Sequence, residues 1–155
     1  MSDVIPIQII EGNVEKGLEE MFTAEKFNWK CPKCDSLEAT KILEILQEPP
    51  TLILQLMRFK FDLTTKEIIK IHDPVFCPQS LLMPSGTTYT LNSSINHIGQ
   101  NAKSGHYHLV LYDRSNDKLV LLDDMEISHV FDMYHEIGEL CYMLTYINKN
   151  EMTLL

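Results

Sequence analysis

Hydrophobic and polar positions change their period several times along the chain. "DVIPIQII", residues 3–10, is a short β-rich run ended by Gly12. Beyond it Val14, Leu18, Met21 and Phe22 recur at helical spacing, with Asn13 as N-cap and acidic residues following. This predicts an amphipathic helix over residues 13–27, against which only Gly17 argues. "KCPKCD", residues 30–35, predicts a tight turn. "EATKILEILQ" is apolar at both periods in part and reads as helix or strand until Pro49 and Pro50 break it. "TLILQLMRFKF", residues 51–61, is too short and too apolar for a surface helix and predicts a buried strand. Residues 72–98 alternate short apolar runs with Pro, Gly and Ser, the pattern of connected β structure.

The second half continues in that mode. "GQNAKSG", residues 99–105, is a polar loop with glycine at both ends, suited to a mobile flap. Residues 104–124 read as one β-hairpin, "HVFDMYHEIG" as an irregular or helical stretch, and "ELCYMLTYIN" as a closing strand. Together these predict an α+β fold, mainly an antiparallel sheet with one helix near the start, in one domain over residues 1–155.

Composition narrows the function classes. A chain of 155 residues can bury about two thirds of its unfolded surface, and 45% hydrophobic with 23% charged residues is globular rather than disordered. The net charge of −9 argues against a nucleic-acid footprint, which needs a clustered basic face, and disfavours an anionic membrane surface. It suits a basic protein partner or simply a solubilising surface. No apolar run approaches the ~18 residues of a spanning helix, and Asp3 stands where a signal peptide would be basic. Four cysteines, two in "CPKC" and two far apart, are not a disulfide framework, so a reducing cytosolic or nuclear compartment is expected.

Two constellations carry chemistry. In the hairpin, a turn centred on Ser115-Asn116 sets Asp113 opposite Lys118, Asp123 opposite His108, and Asp123 diagonal to His106 on the same face. An imidazole whose tautomer is fixed by a carboxylate is a general base, two thirds of a nucleophilic triad. A single bulge would exchange the two histidines, and an ordinary cross-strand pair on a solvated face has the same spacing. The second constellation is Cys31 and Cys34. One CxxC turn gives two thiolates, whereas zinc takes four ligands. His72 with Cys77, or the same pair from a second copy of the chain, would be needed to complete the site, and an incomplete knuckle is the plain reading.

Read together, these segments resemble the C-terminal half of the ubiquitin-specific protease family of deubiquitinases. "NWKCPKC" resembles its second zinc knuckle, and "PPTLILQLMRFKFD" its proline followed by an apolar strand ending in "LKRF". "YTLNSSINHIGQNAKSGHYHLVLYD" is similar to its "Y.L…H.G….GHY" box, "LVLLDDMEISHV" to its return strand with Leu119 in place of Trp, and "CYMLTYI" to its closing strand. The resemblance runs from Val4 to Ile147 and implies a papain-like fold with fingers and palm but without the helical thumb. It implies His106 as the catalytic histidine and Asp123 as its orienting residue. It also implies a flap from Gly99 to Gly105 over ubiquitin's C-terminal tail, with His97 and Tyr107 beside it. The family's Cys box has no counterpart in these 155 residues, and Cys77 could serve only by a remote relay.

Three readings follow. The first is a non-catalytic module binding ubiquitin or a ubiquitin-like protein, its tail paired along the sheet edge. The second is the His/Asp half of a cysteine-type deubiquitinase whose Cys-bearing part lies on another segment or partner chain. The third is a structural domain whose uncovered sheet face drives homodimer formation.

Overall fold

The computed structural model describes residues 4–131, 137, 138 and 140–151. The twelve strands and one helix named among these residues follow in chain order. β1 (Val4–Ile7) leads into α1 (Val14–Phe22), whose first free N–H groups are capped as the sequence predicts: Asn13 Oδ1 accepts from the Glu15 amide at 2.8 Å. The helix buries Val14 and Leu18 against the sheet, and Gly17 has a reason to interrupt it. A Cβ there would lie 2.4 Å from the carbonyl oxygen of Gln8, so the helix packs that closely only with glycine.

The helix ends sooner than its periodicity predicts. Thr23 turns extended, and its hydroxyl and amide return to the carbonyls of Glu19 and Glu20. Residues 25–28 then form β2 (Glu25–Asn28), paired antiparallel with β3 (Glu38–Lys41) in a two-stranded ribbon that carries the CxxC turn at its tip. Cross-strand pairing in that ribbon overrides local helix propensity.

The main sheet runs β1–β4–β12–β8–β9–β10–β11, with β7 (Ser80–Leu82) also paired to β8. Here β4 is Thr51–Leu56, β8 Thr88–Ile98, β9 His106–Asp113, β10 Lys118–Asp123, β11 Glu126–Val130 and β12 Cys141–Asn148. All pairs are antiparallel except β1–β4, whose parallel register makes the sheet mixed. Leu52, Leu54 and Leu56 alternate inward from β4 and meet Leu144, Tyr146, Tyr89 and Val110 in the core, which α1 covers on one face. β11 takes in His129 and Val130, the first two residues of the stretch expected to be irregular or helical, because they pair with β10. That stretch, expected around residues 129–138, lies partly outside the described residues.

The run 51–61 is two strands rather than one. At Arg58 the chain leaves the sheet, and β5 (Phe59–Asp62) pairs instead with β6 (Glu67–Lys70) in a separate hairpin. The break is held by the Arg58 guanidinium, 0% exposed, which donates to the carbonyls of Cys141, Ile71, Asp73 and Gly138. A buried cation surrounded by backbone acceptors is satisfied where it stands and costly to move.

Candidate active site

The hairpin β9–β10 adopts the register its sequence predicts: Lys118 pairs with Asp113, and the ladder continues to Leu122 opposite Leu109. The turn is fixed by Asp113, whose carboxylate accepts from the Ser115 amide at 3.0 Å and the Asn116 side chain at 2.7 Å. Continuing the ladder one step sets Asp123 against His108 and diagonal to His106.

The two histidines divide cleanly. His108 is buried, and its Nε2 meets the Asn96 side-chain amide at 2.8 Å, with Ser94 donating to Asn96 in turn. His106, half-buried at the strand's start, hydrogen-bonds Asp123 Oδ1 through Nε2. The Asp123 hydrogen bond and charge, with a smaller push from Asp124, raise the His106 imidazole above its ordinary 6.5. Among the described residues no hydrogen bond reaches His106 Nδ1. A carboxylate on one ring nitrogen and an open second nitrogen can accept a proton from a nucleophile approaching that side. Asp124 completes a cluster of three possible ligand groups with this pair, but adjacent acidic side chains are common without a cation.

Beside the pair lies the 99–105 loop. His97, 2% exposed, lies beneath it: a Cβ on Gly105 would sit 2.2 Å from His97 Nε2, so the loop's return to the sheet needs glycine. Burial, reinforced by the nearby Lys70 charge, lowers the His97 imidazole below its ordinary value. Its ring is 4.7 Å from that of Tyr107 and 5.5 Å from Phe59, while Tyr142 lies 5.7 Å from Phe59 and 6.1 Å from Tyr107. Tyr107, 51% exposed, can touch a ligand, whereas His97 forms floor beneath it. Sequence reasoning missed Phe59 and Tyr142 because they come from strands far from the loop in sequence.

The cysteines fall into two places. Cys77 and Cys141 are core residues, and burial pushes the Cys141 thiol well up, away from a nucleophilic thiolate. Cys31 and Cys34 share the exposed knuckle turn. Hydrogen bonds from the Lys33 and Cys34 amides, then the Cys34 side chain, lower the Cys31 thiol. Their donor set fits two corners of a tetrahedral zinc site. His72 is exposed and Cys77 buried elsewhere, and no third ligand gathers with the pair among the described residues. The pair alone does not make a zinc site.

A mixed sheet covered by α1, carrying a joined imidazole and carboxylate at its strand ends, has the papain-like architecture of ubiquitin hydrolases. The family model for ubiquitin carboxyl-terminal hydrolase matches residues 9–146, and the chain belongs to that family. It is 43% identical over 94 residues to human ubiquitin carboxyl-terminal hydrolase 35, covering 57% of this chain and 9% of that one. It is 29% identical over 159 residues to the probable ubiquitin carboxyl-terminal hydrolase 8 of fission yeast, covering 97% of this chain and 34% of that one. A chain of the yeast SAGA DUB module superposes with a TM-score of 0.81 at 25% identity, over 94% of this chain and 35% of that one. The module bound to monoubiquitin does so with a TM-score of 0.76 at 22% identity, with the same coverage. The chain therefore spans about a third or less of the relatives it matches here. No helix among the described residues is long and apolar enough to cross a membrane.

Proposed function

We propose that this chain is the ubiquitin-binding, base-bearing half of a thiol-dependent deubiquitinase, silent by itself toward ubiquitin's C-terminal isopeptide bonds. One observation carries the reading: His106 is held by Asp123 through Nε2, while among the described residues no hydrogen bond reaches Nδ1, beside a glycine-flanked loop. In this reading His106 accepts a proton at Nδ1 from a cysteine on a segment or partner chain outside these residues, and Asp123 holds the tautomer and stabilises the imidazolium. The tail of ubiquitin lies along the 99–105 loop, flanked by Gly99 and Gly105, touching Tyr107 over the floor made by His97. A free-standing ubiquitin reader is the second reading, favoured by the burial of Cys77 and Cys141 away from any nucleophilic role. Both place the protein in the cytoplasm or nucleus, where ubiquitin is.

Calorimetric titration of the chain with ubiquitin tests the shared core of these readings. Micromolar binding, weakened at least tenfold when ubiquitin lacks its last two glycines, is the expected result. No binding up to millimolar ubiquitin would sink the free-standing reader and leave a half that needs its missing partner to hold substrate. Hydrolysis of a ubiquitin C-terminal amide by the chain alone would overturn the assignment of a silent half.

A further inference from the structure

We propose that Lys70 is a positioning residue: its buried ammonium pins the start of the 99–105 loop and so seats the strand that begins at His106. The inference deepens the reading above and rests on it for its functional consequence.

Lys70 is the last residue of β6, in the hairpin that stands apart from the main sheet, and is only 8% exposed. Its Nζ donates to the carbonyl of His97 at 2.6 Å and to that of Gly99 at 2.9 Å. None of the described ion pairs includes it. An ammonium brought out of water without a carboxylate is costly, and two converging carbonyls offset that cost. An apolar side chain of the same length would fill the space without it. What the charge adds is a fixed position for two carbonyls at the point where β8 gives way to the loop.

The far end of the loop depends on the same place. The His97 imidazole lies beneath both ends. A Cβ on Gly99 would come within 3.1 Å of its Cε1 and 2.7 Å of the Ser104 carbonyl, and one on Gly105 would come within 2.2 Å of Nε2. Between these ends the described ties are local: Asn101 Oδ1 accepts from the amides of Lys103 and Ser104 and from the Ser104 hydroxyl. Gly105 immediately precedes His106. Freeing the carbonyls of His97 and Gly99 therefore loosens the seat of Gly105 and, one residue on, the base.

The experiment compares wild type with Lys70→Met by amide hydrogen exchange and by NMR titration of His106, both without ubiquitin. In a folded Lys70→Met protein, exchange across residues 99–105 should rise at least tenfold while β4 amides stay within twofold. The His106 midpoint should fall toward that of free histidine as its contact with Asp123 loosens. Lys70→Arg, which keeps the cation, should restore part of both. Loop exchange within twofold of wild type together with an unchanged His106 titration would overturn the proposal. If Lys70→Met does not fold, Lys70→Gln, with one neutral donor group, carries the same comparison. Failure of both to fold would make Lys70 a residue of the fold and overturn the proposal too. Ubiquitin titration of the same variants separates the two claims. A wild-type chain that ignores ubiquitin counts against the functional reading, while the exchange data still decide the role of Lys70.

Discussion

Two hairpins of this molecule each carry a pair of reactive side chains, and they are built on opposite principles. β9–β10 is embedded in an eight-stranded sheet, and its imidazole and carboxylate are brought together by register. β2–β3 is a two-stranded ribbon outside the sheet, exposed along nearly its whole length, and its two thiols meet only because they share one turn. A site fixed by a ladder is preorganised by everything the ladder is paired to. A site fixed by a turn is local and, with two ligands, needs something else to finish it.

The largest test of this contrast is mechanical. Leu54, fully buried in β4, lies in the core on which β12, β8 and then β9 depend. Leu54→Ala should destabilise the chain by about 2–5 kcal/mol, as a lost core leucine and its cavity generally do. Trp29 on the ribbon is 50% exposed, and Trp29→Ala should change stability by no more than about 0.5 kcal/mol. Urea unfolding followed by circular dichroism gives both values. A Trp29 loss as large as that of Leu54 would mean that the ribbon is packed against something in solution.

A smaller test addresses the embedded pair through pH. The folded protein raises the His106 imidazole above 6.5, chiefly by the hydrogen bond with Asp123, so the pair's stabilisation is complete below 6.5 and is lost as pH rises through the folded value. His97 has the opposite sign: burial lowers its imidazole, so stability falls as pH drops below 6.5 and the unfolded chain takes up the proton. These two groups together favour a stability maximum near 6.5. Asp123→Asn should lower the His106 midpoint in an NMR titration and flatten the decline above 6.5, leaving the decline below it. An unchanged His106 midpoint in that variant would show that Asp123 does not govern the imidazole.

How much of this was legible beforehand follows from the range of the interactions. The hairpin register could be read because Asp113, Ser115, Asn116 and Lys118 encode it locally, and the helix start because Asn13 caps it two residues on. Choosing His106 over His108 needed more. Spacing leaves them equal, and the family resemblance is what points to His106; in the structure Asn96, on another strand, pairs with His108. The split of residues 51–61 into two strands was hidden for the same reason, since the carbonyls that hold Arg58 lie 13 to 83 residues away. An arginine inside an apolar run was the one available signal. The premature end of the helix and the edge strand β11 likewise depend on pairing partners rather than on their own periodicity.

The smallest effect concerns the thiols, and it separates the two regions by chemistry rather than by energy. Cys31 lies on the exposed knuckle, and the Lys33 and Cys34 amides lower its thiol, so a larger share is thiolate at neutral pH. Cys141 is its opposite, a core thiol raised by burial, and Cys77 lies in the same core. An aromatic disulfide reagent should therefore label two thiols per native chain quickly and the other two only on unfolding, with Cys31 the fastest. Cys31→Ser should remove that fastest phase while leaving the urea midpoint of the sheet unchanged, because none of the described core residues lies on the knuckle. Three or four fast thiols in the native protein would mean that the core opens around Cys77 and Cys141. None would mean that the knuckle is already occupied, by metal or by a second chain supplying the ligands this one lacks.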